Sequence, residues 1–284
     1  MALEVREIHV DQVRDAVAQI FKRICIELPS ELSDALRKAR DAEDNPTAKD
    51  VLAKLIENQE IALRECIPTC QDTGLAVIFM DIGQDVHFVG GDLRQAVDDG
   101  VRVAYEEAYL RKSVVRSPIN RVNTGDNTPA ILHIRILPGS AVRIHGAAKG
   151  AGSENKSALA MLNPGDGVEG IERFALRTVR DAGGAACPPL VVGVGLGGNF
   201  ETCALLAKRA LLRKLGEPSP DPTTAKLEKR LLGLINELGI GPLGFGGRTT
   251  ALAVHIETFP CHIAGMPVAV NLNCHADRHA AVQL

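Results

Sequence analysis

Residues 70–80 read CQDTGLAVIFM: a thiol, an amide, a carboxylate and a hydroxyl in a row, then a glycine, then an unbroken apolar run. The run Leu75–Met80 has the length and composition of a buried strand. The pentad Cys70-Gln71-Asp72-Thr73-Gly74 therefore stands where a loop enters a sheet, a common place for a site. A capped turn, with Asp72 and Thr73 bonding nearby backbone N–H groups, accounts for the same residues. What singles the pentad out is that two more cysteines recur in similar settings, in Ala186-Cys187-Pro188-Pro189 and Asn273-Cys274-His275-Ala276.

Upstream of this strand the pattern is helical. Val10, Val13, Val17, Ile20, Phe21 and Ile24 recur at helical spacing over 8–26, Ser30 is suited to cap a second helix to about Arg40, and a third spans Thr47–Glu65. The first 65 residues thus predict an all-helical opening. Downstream, Asp92 caps a helix reaching Leu110, and the loop SPINRVNTGDNTP (117–129) is rich in side chains that bond backbone. Alternation at 131–137 and 141–145 predicts two strands joined as a hairpin at Pro138-Gly139. Further helices are expected at 166–182, 199–215 and 223–238, with strands at 189–194, 251–257 and 266–272. The expectation is an α+β (mixed α/β) fold over residues 1–284: one domain without an internal repeat, a helical N-terminal segment followed by a mixed sheet with surrounding helices.

Composition narrows the function. A net charge of −3 over 284 residues carries no footprint for nucleic acid or anionic membrane, and aromatic residues at 3% leave few surfaces for stacking bases. No run of about 18 apolar residues predicts a membrane span. The N-terminus lacks the apolar core of an export signal, so a cytoplasmic chain is expected, and its seven cysteines read as thiols or metal ligands rather than disulfides. Gly193–Gly198 (GVGLGG) tempts a dinucleotide reading, but no second strand ending in an acid follows about 20 residues on. The glycines are expected to serve tight packing near Cys187. Lys149–Lys156 (KGAGSENK) offers glycines and two lysines that suit an anion, or a plain loop.

Three thiolates at Cys70, Cys187 and Cys274 would suit an iron–sulfur cluster with one iron left open to act as a Lewis acid. The competing reading makes each cysteine a small buried hydrophobe, as expected of Cys25 and Cys203 on apolar helix faces. Cys261 is expected to be structural, and Cys66 lies close enough in sequence to share a site with Cys70.

Six motifs, in order, resemble the alpha subunit of class I (iron–sulfur) fumarate hydratase and the related L-tartrate dehydratase alpha subunit: CQDTG, NTGDNTPA, KGAGSENKS, CPPLVVGVGLGGNF, GPLGFGGRTTAL and NLNCHADRHA. The resemblance runs from about residue 10 to the C-terminus. It departs from that family in one visible place, Ala151 standing where a glycine is usual. It implies a [4Fe–4S] hydro-lyase that reversibly hydrates fumarate to L-malate, with Cys70, Cys187 and Cys274 as cluster ligands. It further implies a C4-dicarboxylate pocket lined by Gln71, Arg111 and Gly152, with Asp72 and His262 as catalytic groups. Since the sequence ends at Leu284, the resemblance also implies a separate beta subunit that completes the site, in an alpha2beta2 hetero-oligomer. Tartrate dehydration, or a non-catalytic iron–sulfur role, is the alternative.

Overall fold

The structure, a computed structural model, describes residues 5–284. In chain order the elements are β1 (Arg6–His9), α1 (Val10–Ile26), α2 (Ser30–Ala42), α3 (Pro46–Glu65), β2 (Leu75–Gly83), β3 (Val86–Val89), α4 (Leu93–Glu107), β4 (Ile131–Leu137) and β5 (Val142–Lys149). There follow α5 (Ala151–Glu154), β6 (Ala158–Leu162), α6 (Gly167–Ala182), β7 (Leu190–Gly197), α7 (Phe200–Ala210), α8 (Pro222–Asn236), β8 (Ala251–Phe259), β9 (Met266–Asn273) and β10 (His279–Gln283). The fold class is mixed α and β, as the sequence predicts. The chain divides into two compact units: the first holds the chain up to Pro29, Gln59–Lys149 and Arg278–Leu284, the second Ser30–Asn58 and Gly150–Asp277.

In the first unit a four-stranded sheet has the order β10-β5-β2-β4. β2 pairs parallel with β4 and antiparallel with β5, and β10 runs antiparallel to β5. Strand β2 is buried nearly throughout, which is why it reads as a continuous apolar run. Helix α1 turns Val13, Val17, Phe21 and Ile24 into a core shared with Ile78 and Met80 of β2 and Val97, Val101 and Tyr105 of α4. Each such side chain contributes about 1.5–3 kcal/mol on burial. The all-helical opening needs one correction. Residues 6–9 form a strand, because the parallel partner β3 takes their backbone bonds and Ile8 is buried there. His9 then caps α1, its Nδ1 accepting from Asp11 N at 3.2 Å.

The expected hairpin between β4 and β5 does not form, because β2 lies between them. The four-residue link from β4 to β5 passes over the end of β2. There Gly83 N donates to Ala141 O at 2.7 Å, and a Cβ on Gly83 would sit 2.2 Å from Gly139 O. Only a residue without a side chain lets the link pass.

The second unit repeats this topology. Its sheet has the order β6-β9-β7-β8, with β7 parallel to β8, β9 antiparallel to β7, and β6 antiparallel to β9. The link from β8 to β9 crosses the end of β7 at Gly197, where a Cβ would lie 1.9 Å from Phe259 O. Both units thus run cysteine loop, strand, helix, parallel strand, crossing link, antiparallel strand, with a glycine under the crossing. The expectation of no internal repeat fails at the level of topology. The outer strands are exchanged in chain order: β6 follows β5 but joins the second unit, and β10 follows β9 but joins the first. The glycines expected to form a tight turn near Cys187 instead lie on β7, which runs to Gly197. Gly193 and Gly195 let α7 approach, since a Cβ on them would stand 2.2 Å from Ala207 O and 2.0 Å from Cys203 O.

Candidate functional site

In the first unit the pentad is held from several directions. Asp72 Oδ1 accepts from Gly74 N at 3.0 Å, the turn the sequence predicts. Thr73 does not bond locally: its Oγ1 donates to Arg111 O at 3.2 Å, fixing the start of the loop that carries Arg111. The buried Tyr105 hydroxyl reaches Thr73 O and Gly74 O, both at 2.9 Å. Gly74 has φ +77°, and a Cβ there would stand 2.6 Å from the Lys149 backbone. Behind Cys70, Thr69 donates through its backbone N (2.9 Å) and Oγ1 (3.3 Å) to Cys25 O. Burial pushes the Cys25 thiol up to about 11, with Arg278 opposing and Cys70 adding to the rise. Cys25 and Cys203 are both fully buried, as expected of packing residues.

Asn127 joins the NTGDNTP loop to this end of the sheet. Fully buried at φ +63°, it accepts at Oδ1 from Ser113 N (2.7 Å) and Val114 N (3.2 Å) and donates through Nδ2 to Gly74 O (3.2 Å). Asn127→Ala strands these buried groups and puts Ala in a left-handed conformation, so it is expected to cost about 3 kcal/mol. The check is the urea midpoint; a shift worth under about 1 kcal/mol would remove Asn127 as the anchor.

The neighbouring Asp126 is buried enough to oppose its charge. Bonds from the Thr128 hydroxyl and N–H and from Arg102 more than offset this and hold its carboxyl near about 2. The folded value lies below the unfolded one, so its contribution is present above about pH 4 and lost as pH falls toward 2. After allowance for solvent screening it is worth about 1 kcal/mol. The stability gap between the wild type and Asp126→Asn, read from urea midpoints, should close over that window. A gap that holds constant with pH would contradict the assignment.

In the second unit Cys187 ends a 3-10 turn at φ +56°, followed by a cis Pro188–Pro189 bond and then β7. Its carbonyl accepts from His275 N at 3.2 Å, which ties it to the segment of Cys274 at the end of β9. That segment is braced by Asn273 Nδ2 donating to Asp277 Oδ1 at 2.6 Å and by Asp277 N donating to Cys274 O at 3.1 Å. The glycine-loop residues 151–154 form the short helix α5, which docks beside β9. Asn271 Nδ2 donates to Glu154 Oε2 (3.0 Å) and to Ser157 Oγ (3.0 Å), and Lys208 pairs with Glu154. Gly152 is exposed there, and a Cβ on it would meet Ala185 O at 3.8 Å. The second unit therefore brings Cys187, Cys274 and Gly152 to one end of its sheet.

His262 is not among them. It lies in the link after β8, exposed, with Nδ1 accepting from Ala264 N at 3.1 Å. Because β8 is parallel to β7, that link is at the far end of the sheet from Cys187. At about 3.3 Å per residue the separation is about 25 Å. Cys261 is exposed beside it, with Sγ 3.4 Å from Gly265 O. Cys66 is exposed at the end of α3.

Among the described residues no three His, Cys, Asp or Glu side chains gather to chelate a single metal ion. A cubane cluster makes a different demand, since each thiolate binds its own corner iron. Thiol chemistry suits that demand, and these thiols are not consumed elsewhere: Cys70 and Cys274 are half-buried, Cys187 is exposed, and none forms a disulfide. Sequence reasoning missed Tyr105, which looks like one more apolar position of α4; Lys149, read as one of two lysines that suit an anion, is instead buried, with its backbone against Gly74.

No helix among the described residues is long and apolar enough to cross a membrane. The family model described as fumarate hydratase (Fumerase) matches residues 14–283. A Methanocaldococcus jannaschii chain provisionally named L(+)-tartrate dehydratase subunit alpha is 43% identical over 277 residues, covering 95% of this chain and 96% of that one. The L(+)-tartrate dehydratase subunit alpha of Escherichia coli K12 is 32% identical over 277 residues, covering 96% and 91%. With the match running through all six motifs, the chain belongs to the fumarate hydratase (Fumerase) family.

Proposed function

We propose that this chain is the alpha subunit of a two-subunit hydro-lyase that reversibly hydrates fumarate to L-malate, its cluster held by Cys70, Cys187 and Cys274 in one catalytic domain spanning 1–284. The observation that carries the reading is that the expected site residues stand, within each unit, at the corresponding end of its sheet. Cys70, Asp72 and Arg111 stand where β2 and β4 begin, and Cys187 and Cys274 where β7 begins and β9 ends. A bound [4Fe–4S] cluster would supply an open iron as a Lewis acid toward the substrate hydroxyl.

The chain's own groups do the rest. Arg111 pairs with a substrate carboxylate, its loop fixed by Thr73. Gln71 and the Gly152 backbone orient the dicarboxylate. Asp72, held at Oδ1 by Gly74 N, moves the proton with its carboxylate. His262, at the far end of its sheet, takes part in no step within this chain; its role as a proton donor belongs to an assembled site. A beta subunit, in an alpha2beta2 assembly in the cytoplasm, completes that site. Relatives named subunit alpha support the beta partner.

The same relatives favour a second reading, dehydration of L-tartrate to oxaloacetate. The anaerobically purified alpha–beta complex should be assayed with fumarate, L-malate and L-tartrate side by side. Fumarate turnover with a kcat/KM at least about tenfold above that for tartrate supports the first reading, and the reverse ratio the second. Turnover of neither by an iron-loaded complex rejects both.

A further inference from the structure

Arg278 is a buried cation without an ion-pair partner among the described residues. It is 3% exposed, and its Nη1 has no hydrogen-bond partner. Burying an isolated charge is among the costliest things a fold can do, and such charges persist where something compensates them.

Its place in the first unit is behind the pentad. The Arg278 carbonyl accepts from Ala148 N at 3.0 Å, one residue before Lys149, whose backbone lies against Gly74. The guanidinium acts electrostatically on both the Cys25 thiol and the Tyr105 hydroxyl. The Tyr105 hydroxyl braces the pentad at Thr73 O and Gly74 O, and the backbone carbonyl of Cys25 accepts from Thr69, next to Cys70. Neither the Cys25 thiol nor the Tyr105 hydroxyl can neutralise a cation: burial raises both groups' pKa, leaving them uncharged. Asp72 also acts on Tyr105, with Oδ1 engaged by Gly74 N. Arg278 also follows Cys274 by only four residues along the chain.

We propose that Arg278 is the buried counter-charge for an anionic iron–sulfur cluster at Cys70, and that it sets how readily the cluster accepts an electron. The inference rests on the ligation reading above. Three thiolates on a [4Fe–4S]2+ core leave a net charge of about −1, and one-electron reduction makes it about −2. A fixed cation nearby stabilises the reduced form more and so raises the reduction potential. Arg278 touches no substrate; it is a tuning and positioning residue.

The test uses the anaerobic, cluster-loaded chain with its partner, titrated with dithionite and followed by EPR. Arg278→Met should shift the reduction equilibrium about tenfold toward the oxidised cluster, equal to a midpoint lower by about 59 mV. Arg278→Lys should recover at least half of that shift. The melting temperature of the cluster-free chain supplies a second readout. Removing an uncompensated cation should leave it unchanged or raise it, whereas an Arg kept for the fold would lower it. A cluster-loaded wild type with an unmoved midpoint in Arg278→Met overturns this inference alone, and so does a cluster-free Arg278→Met that melts earlier or fails to fold. A wild type that takes up no iron and sulfide overturns the ligation reading, and this inference with it.

Discussion

Gly197→Ala is expected to lower stability by about 3–5 kcal/mol, a large share of the roughly 5–15 kcal/mol that holds a typical domain together. Two penalties coincide at this position. Gly197 has φ +89°, a conformation that costs an L-residue about 1–2 kcal/mol. Its Cβ would also stand 1.9 Å from Phe259 O, where the link from β8 to β9 crosses the end of β7. Backbone cannot swing aside as a flexible side chain can, so the crossing must open.

Two other glycines separate the causes. Gly139 has φ +94° with nothing within 4 Å of where an added methyl would sit, so Gly139→Ala should show strain alone, about 1–2 kcal/mol. Gly83 has an ordinary φ but a Cβ position 2.2 Å from Gly139 O, so Gly83→Ala should show crowding alone. Urea midpoints should rank Gly139→Ala mildest and Gly197→Ala worst. Equal midpoints for Gly139→Ala and Gly197→Ala would show that the crossing is not tightly closed.

These glycines also show what the sequence does not disclose. Strand β2 was legible because burial on both faces makes it continuously apolar, and helices α1, α2, α3, α4, α6 and α8 because their stripes and caps are local. The pairing of strands was not legible. Residues 131–145 carry the alternation and the Pro-Gly turn of a hairpin, but nothing local records that β2, fifty residues earlier, inserts between the two strands. The repeat escaped for the same reason: β2 and β7 differ in sequence and share only their partners. Short β6 and β10 were missed because their partners lie in distant strands, β9 and β5. At the candidate site the thiols and the pentad stood out by residue type. Tyr105, Asn127 and Arg278 did not, since what marks them is burial and partners far along the chain. His262 carries a role implied by the resemblance, but the parallel run of β7 and β8 sets it apart from Cys187 and Cys274.

Cys70→Ser, Cys187→Ser and Cys274→Ser are each expected to lose the cluster while keeping the fold. Iron and sulfide should fall from about four per chain to under one. Hydro-lyase turnover should fall by more than the roughly 10–100-fold typical of losing an outer-shell partner, about 10³ or more. A serine hydroxyl is almost wholly protonated at neutral pH and hard in character, whereas the cluster's irons prefer soft thiolate. The fold should survive because none of the three is a buried core residue: Cys187 is exposed, and Cys70 and Cys274 are half-buried. The other four thiols supply the contrast. Cys25 and Cys203 are fully buried, so their serine variants should lose stability but keep iron. Cys261→Ser, at an exposed position, should change neither. Cys66, exposed and four residues before Cys70, is the one thiol near enough in sequence to substitute for a ligand, and Cys66→Ser should keep its iron if the set is Cys70, Cys187 and Cys274. Seven single variants, each measured for iron, sulfide and melting temperature after anaerobic reconstitution, therefore divide by chemistry rather than by burial. Full iron in any of the first three, or loss of iron in Cys66→Ser, would show that a different set of thiols holds the cluster.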